Sequence, residues 1–305
     1  MRQPAAHCGL TGIKPTYGTV SRYGLIAHAS SLDQIGPLCR DAADCAAVLD
    51  TIQMYDRHDS TSVNRSYGNL LSSLRGDVRG LKIGIPTECF GEGLSEQVRR
   101  AVLDAADVLR CRGAIVKEVS FPALSYGVPA YYIIACAEAS SNLARYDGVK
   151  YGMRAEEYAS LDELYRKTRT EGFGSEVKRR ILLGTFVLSA GYYDAYYNKA
   201  LQAKAMIRTA YQSAFEQFDL LLTPVTPTTA PKLNSLTEAL QMYLGDIYTA
   251  AANLAGLPAL SMPCGFDGSG LPVGAQLIGP HFGEKVILNA AHAFQQETDF
   301  HLGKR

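Results

Sequence analysis

The most regular hydrophobic pattern in the chain lies in SEQVRRAVLDAADVLRCRG, residues 95–113. Val98, Val102, Ala105 and Leu109 recur at spacings of three and four, which aligns them on one helical face. Ser95 stands where an N-cap is expected and Gly113 just past the last turn. β-rich runs flank this helix, LKIGIP before it and AIVKEVSF after it. Strand, helix and strand in succession predict a βαβ unit, so part of the sheet should be parallel. A second helix is expected over RDAADCAAVLDTIQ, with Asp41 as N-cap and Asp44 in the first turn, where the helix dipole favours an acid.

Between about 127 and 218 the pattern becomes helical and tyrosine-rich. In GYYDAYY, Tyr192 with Tyr196 and Tyr193 with Tyr197 are i,i+4 pairs, expected to serve core or inter-subunit packing rather than ligand stacking. Strands then return in DLLLTP, ALSMPC and VGAQLIG, before a final helix near EKVILNAAHAFQQE. Residues 59–80 and SLTEALQMYLGD read as surface excursions, and neither a repeat nor a linker interrupts the α/β order.

Composition narrows the function classes. Of 305 residues, 47% are hydrophobic and 20% charged, the balance of a folded globular chain. Thirty basic and thirty acidic residues cancel, leaving no overall field to draw the chain onto phosphate backbones or anionic lipid. Seven cysteines stand singly without a C-x-x-C pair, which argues against a disulfide framework or zinc ribbon and for buried, reduced thiols in a cytosolic protein. The histidines form no H-E-x-x-H pattern, so no metal site is expected. The most apolar run, VPAYYIIACA, is about half the ~20 residues a bilayer span needs, so no membrane partner is expected. Walker, Rossmann and G-x-S-x-G signatures are missing from the sequence.

What carries chemistry is the opening stretch: Arg2-Gln3-Pro4-Ala5, Lys14-Pro15-Thr16-Tyr17-Gly18 and Ser31-Leu32-Asp33-Gln34-Ile35-Gly36-Pro37. These three ordered segments resemble the amidase signature family, whose Gly/Ser-rich segment ends Ser-aliphatic-Arg-x-Pro-Ala and is followed by the other two. The resemblance implies an α/β fold, an amidase-signature-type mixed β-sheet flanked by helices on both faces, with the N-terminal part of the fold missing. Residues 1–305 would then be the C-terminal portion of a single amidase domain. The family uses a Ser, a second Ser in a cis peptide and a Lys, and its nucleophile immediately precedes the aliphatic position that Met1 occupies. The resemblance therefore implies no catalytic residue within the chain. Ser21, Ser30, Ser31, Ser140 and Ser141 read instead as turn, cap or packing residues, and Arg2, Lys14 and Asp33 as structural residues near the active-site wall.

YYIIACAEASSNLARYDGVKYG, EGFGSEVKRRILLGTFVLSAGYYDAYY and NLAGLPALSMPCG are similar to the glutamine-hydrolysing branch of the family, which supplies ammonia to a tRNA-dependent amidotransferase. Free glutamine carries an α-carboxylate and an α-ammonium, so its pocket needs a bidentate cation and a carboxylate. The resemblance assigns these roles to Arg180 and Asp246, with Tyr131 lining the pocket. Each has a plainer alternative: Arg180 as part of a solvated Lys178-Arg179-Arg180 face, Asp246 as an N-cap of the helix through YTAAANLAG, Tyr131 as a core aromatic. The resemblance also implies the B and C subunits of the amidotransferase as partners, tRNA only through that complex, and no cofactor on this chain, with ATP and Mg²⁺ at the B subunit. The cytoplasm or an organellar matrix is the expected compartment. Two other readings stay open: a fragment of another amidase signature hydrolase, and a non-catalytic remnant that binds the B subunit.

Overall fold

The structure, a computed structural model, describes residues 1–233, 235 and 243–303. The chain divides into two compact units, one of Met1–Tyr23, Gln34–Val128 and Lys204–Arg305, the other of Gly24–Asp33 and Pro129–Ala203.

The first unit is built on a mixed sheet. Its strands are β1 (Thr11–Lys14), β2 (Leu38–Cys39), β3 (Lys82–Pro86), β4 (Ile115–Val119), β5 (Leu220–Pro224), β6 (Ala259–Phe266) and β7 (Pro272–Ile278), in the order β2-β1-β6-β7-β5-β3-β4. The predicted βαβ unit is present, with β3 parallel to β4 through Ile83 opposite Val116, and β3 also pairs in parallel with β5. The other pairs are antiparallel, so the parallel part is confined to one end.

Alternation along β6 and β7 sorts the two faces of this sheet. Leu260, Met262 and Cys264 of β6 join Val273, Ala275 and Leu277 of β7 in a buried cluster with helices α2 (Ala42–Ile52), α3 (Glu96–Cys111) and α9 (Glu284–Glu297). The predicted stripe of α3, Val98, Val102, Ala105 and Leu109, is buried here throughout. Asp41 caps α2 by accepting a 2.8 Å bond from the Asp44 N–H, as expected; Ser95 heads α3, but its hydroxyl makes no cap bond. The opposite face carries α1 (Arg2–Cys8), where a Cβ on Gly274 would lie 2.5 Å from Ala6 Cβ. The small residues of Arg-Gln-Pro-Ala-Ala thus let a helix settle directly on the sheet. Periodicity signals neither α1 nor β1, because seven and four residues are too short to show one.

The second unit holds most of α4 (Gly127–Leu143), α5 (Leu161–Gly172), α6 (Ser175–Leu188), a π-helical turn over Tyr193–Asn198 and the start of α7 (Lys199–Phe215). α6 comes close to α4 at Gly184, where a Cβ would meet the Cys136 carbonyl oxygen at 2.0 Å. The tyrosine pairs form as the spacing predicts, with ring centroids 6.0 Å apart for Tyr192 and Tyr196 and 5.2 Å for Tyr193 and Tyr197. Tyr192, Tyr193 and Tyr196 are nevertheless exposed, which rules out core packing for them within this chain.

Residues 59–80 run mostly over the surface, anchored by buried Asp59, Leu70 and Val78, while most of SLTEALQMYLGD lies outside the described residues. Cys45, Cys89, Cys136 and Cys264 are buried free thiols, but Cys8 and Cys111 are exposed, a correction to the expectation of uniformly buried cysteines. Cys111 ends a helix whose buried stripe finishes at Leu109, and Cys8 ends α1. No helix among the described residues is long and apolar enough to cross a membrane.

Candidate functional site

In the first unit the motif residues build a polar seam beneath α1. Arg2 is buried, and its guanidinium donates to Thr249 O at 2.9 Å, to Asn253 Oδ1 at 2.6 Å and to Gln276 Oε1. Gln276 in turn donates from Nε2 to Thr223 Oγ1 and to Tyr248 O, each at 2.8 Å. This chain of bonds ties α1 to β5, β7 and the segment leading into α8 (Ala250–Leu254). Lys14 ends β1, with Nζ donating to Gln34 Oε1 at 2.8 Å, Pro15 O at 3.0 Å and Leu257 O. Burial, followed by the nearby Arg2 charge, drives the Lys14 pKa well below its ordinary value. Arg2 and Lys14 are thus both engaged in buried hydrogen bonds that tie elements of this unit together.

Asp246 lies in this unit, just ahead of α8. Its carbonyl oxygen accepts from Thr249 N and Ala250 N, both at 3.0 Å, and the cap position itself belongs to Thr249. The plain N-cap reading of Asp246 therefore does not describe its geometry. Its half-buried carboxylate is close enough to the Met1 amino group to oppose the lowering of that amine's pKa by burial and by Arg2.

Tyr131 and Arg180 belong to the second unit, where the structure brings them into one cluster. Arg180 is half-buried on α6 rather than part of a solvated basic face; Arg179 beside it is exposed. Arg180 Nε donates to Glu176 Oε1 at 2.9 Å, one turn back on the same helix. Its Nη1 lies 3.4 Å from His28 Nε2, and its guanidinium carbon sits 5.8 Å from the centroid of the Tyr132 ring. Tyr132 meets Tyr131 edge to face, with centroids 5.0 Å apart. Burial works against the Arg180 charge, but Glu176 and the two tyrosines outweigh it and raise its pKa.

His28 reaches this cluster because its loop is pinned at several points. The Asp33 carboxylate accepts from His28 N at 2.8 Å and from Ala29 N, and Asn142 Nδ2 donates to His28 O and Ser30 Oγ. Ser31 N donates to Glu138 Oε2 at 2.8 Å. Burial first, and Arg180 second, lower the His28 pKa, so the ring is neutral near pH 7 and Nε2 can accept from the guanidinium. Two of the other serines named above make local side-chain bonds: Ser21 Oγ donates to Asp56 Oδ2, and Ser140 Oγ bonds Thr185 Oγ1.

Sequence reasoning missed Glu176, His28 and Tyr132. Glu176 was legible as the acid four residues before Arg180, a spacing that pairs side chains on a helix. No local signal joins His28 to a residue 152 positions away.

A half-buried guanidinium held by a carboxylate beside Tyr132, with Tyr131 next to that ring, has the chemistry to take an anionic group against an aromatic wall. The Amidase family model matches residues 1–288. The chain belongs to the amidase family. Among its amidase-family relatives, the glutamyl-tRNA(Gln) amidotransferase A subunit of Agathobacter rectalis is 60% identical over 98% of this chain and 60% of its own length. The protein of the same name from Neisseria meningitidis serogroup B is 54% identical over all of this chain and 63% of its own. The crystal structure of the Thermotoga maritima glutamyl-tRNA(Gln) amidotransferase A subunit superposes with a TM-score of 0.80 at 42% identity, over 97% of this chain and 60% of that one. The chain thus spans 60 to 63% of the length of the relatives it matches. Its mixed sheet with helices on both faces is the amidase-family fold expected from the motifs.

Proposed function

We propose that this chain is the glutamine-binding portion of the glutaminase subunit of a tRNA-dependent amidotransferase. The observation that carries the reading is Arg180: a half-buried guanidinium, oriented by Glu176 beside Tyr131 and Tyr132, suits the α-carboxylate of an amino acid. An amidase for uncharged, hydrophobic amides has no use for such a charge. The family resemblance assigns the α-ammonium to Asp246. The influence of Asp246 on the Met1 amine supports a place for it near the family motif.

In this reading the nucleophilic Ser, the cis-Ser and the Lys lie outside residues 1–305. The Ser hydroxyl, deprotonated by the neutral Lys through the bridging Ser, attacks the side-chain amide carbon of glutamine. The C–N bond breaks with release of ammonia, and water then cleaves the acyl-enzyme to glutamate. The ammonia passes to the B subunit, which holds the tRNA end and uses ATP and Mg²⁺, while the small C subunit wraps the pair. The 60% identity to an amidotransferase A subunit supports this assignment of partners and of Glu-tRNA(Gln), or Asp-tRNA(Asn), as the final acceptor. The neutral net charge suits a chain that meets tRNA only through the complex.

The test is ammonia release from L-glutamine. Purified residues 1–305 should release none, whereas the same residues joined behind the N-terminal portion of the Neisseria relative should regain release. Ammonia from the isolated chain refutes the placement of the nucleophile, and a well-folded but silent chimera refutes the glutaminase reading.

A further inference from the structure

The Arg180 cluster contains a residue that the binding roles above leave unused. Glu176 sits in the first turn of α6, and its two carboxylate oxygens are divided: Oε1 accepts from Arg180 Nε at 2.9 Å, and Oε2 lies 3.4 Å from Arg179 Nη1. An acid with cations three and four residues on is by itself an ordinary helix ion-pair set. Three features separate this one. Arg180 is the less exposed of the two arginines, with 21% of its side chain accessible against 48% for Arg179. Its Nη1 is met from the other side by His28. Tyr132 lies against the guanidinium.

A guanidinium has two edges able to take both oxygens of a carboxylate, one formed by Nε and Nη2, the other by Nη1 and Nη2. Glu176 occupies Nε, which takes the first edge out of use for a ligand. We infer that Glu176 is the positioning residue of this site: by holding Nε it turns the Nη1/Nη2 edge of Arg180 toward the ligand, with His28 beside it and Tyr132 fixing its plane. The inference rests on the proposed glutamine-binding role. Glu176 does not touch the ligand; it decides which edge of Arg180 does. Without Glu176 the guanidinium is free to swing, and the ordering it needs before clamping a carboxylate must be supplied during binding.

The experiment measures dissociation constants by ligand-observed NMR for the full 305-residue chain and the variants Glu176→Ala, Glu176→Gln and Arg179→Ala. Two ligands are compared, L-glutamine and L-glutaminamide, which lacks the α-carboxylate. Glu176→Ala should weaken L-glutamine by about tenfold and leave L-glutaminamide within about twofold. Glu176→Gln, whose amide oxygen still accepts from Nε, should recover most of the affinity, and Arg179→Ala should leave both ligands unchanged. Equal losses for both ligands, no loss in Glu176→Ala, or a loss in Arg179→Ala matching that in Glu176→Ala would each overturn the positioning role. A wild-type chain that binds L-glutaminamide as tightly as L-glutamine, or neither, would overturn the glutamine-pocket reading along with it. Thermal melts of each variant separate unfolding from a local change.

Discussion

Replacing Gly274 with alanine would press a methyl group into the helix that carries the family motif. The new Cβ would lie 2.5 Å from Ala6 Cβ and 3.1 Å from both Ala6 Cα and Ser261 Oγ, so α1 must lift from the sheet or β7 must bend. Overpacking of this kind costs about 1–3 kcal/mol, against which the stiffer unfolded chain returns about 0.5 kcal/mol. Ala6→Gly alone gives up about 0.8 kcal/mol for a buried methyl and about 1 kcal/mol of helix propensity. It also opens the space that the new methyl needs. In the Ala6→Gly background, Gly274→Ala should therefore be neutral or slightly stabilising, a coupling of about 2 kcal/mol between the two sites. Urea unfolding followed by far-ultraviolet circular dichroism across the four-variant cycle reads that coupling directly. Costs that add to within about 0.5 kcal/mol would mean that α1 does not lie on β7 as described.

Other outcomes follow from individual contacts. Asp59 accepts from Arg22 N, Arg22 Nε and Thr61; burial alone would raise its carboxyl, but these bonds outweigh it and hold the pKa far below the usual carboxylate range. A depressed folded pKa gives stability that is complete above the unfolded value near pH ~4 and is lost as pH falls through the folded one. Asp59→Asn should cost about 2 kcal/mol at pH 7 and flatten the acid limb of a stability–pH curve; an unchanged limb contradicts the assignment. Gln276→Leu removes one acceptor of buried Arg2 and should destabilise by about 2 kcal/mol in urea unfolding. In maleimide labelling read by mass spectrometry, exposed Cys8 and Cys111 should react first, and Cys45, Cys89 and Cys264, buried thiols with raised pKa values, should react only on unfolding.

Long elements with regular spacing are legible in the sequence. The α3 stripe, the Asp41 cap, the parallel pairing of β3 with β4 and the helix Glu284–Glu297 all follow from local pattern and capping chemistry. What local pattern could not supply was the reason for the motif itself. Ala5 and Ala6 are small because Gly12 lies against the first and Gly274, far along the chain, against the second. Arg180 shows the same limit. Its neighbours Lys178 and Arg179 are exposed and made the run look like a solvated face, yet a rotation of one position along α6 carries Arg180 toward Tyr132 and His28. The glutamine-binding role proposed for it came from family resemblance, and the geometry added Glu176 and His28, which the resemblance did not contain.

A receptor for the amino-acid end of glutamine must bind L-glutamine whether or not the chain can hydrolyse it, and isothermal titration of the purified 305-residue chain measures that binding without relying on turnover. Saturable binding is expected, weakening by at least about tenfold in Arg180→Met and again in Asp246→Asn, with both variants retaining the wild-type melting profile. A folded chain that takes up no L-glutamine, or variants that bind it as the wild type does, would contradict the assignment of Arg180 and Asp246 to its two charged ends.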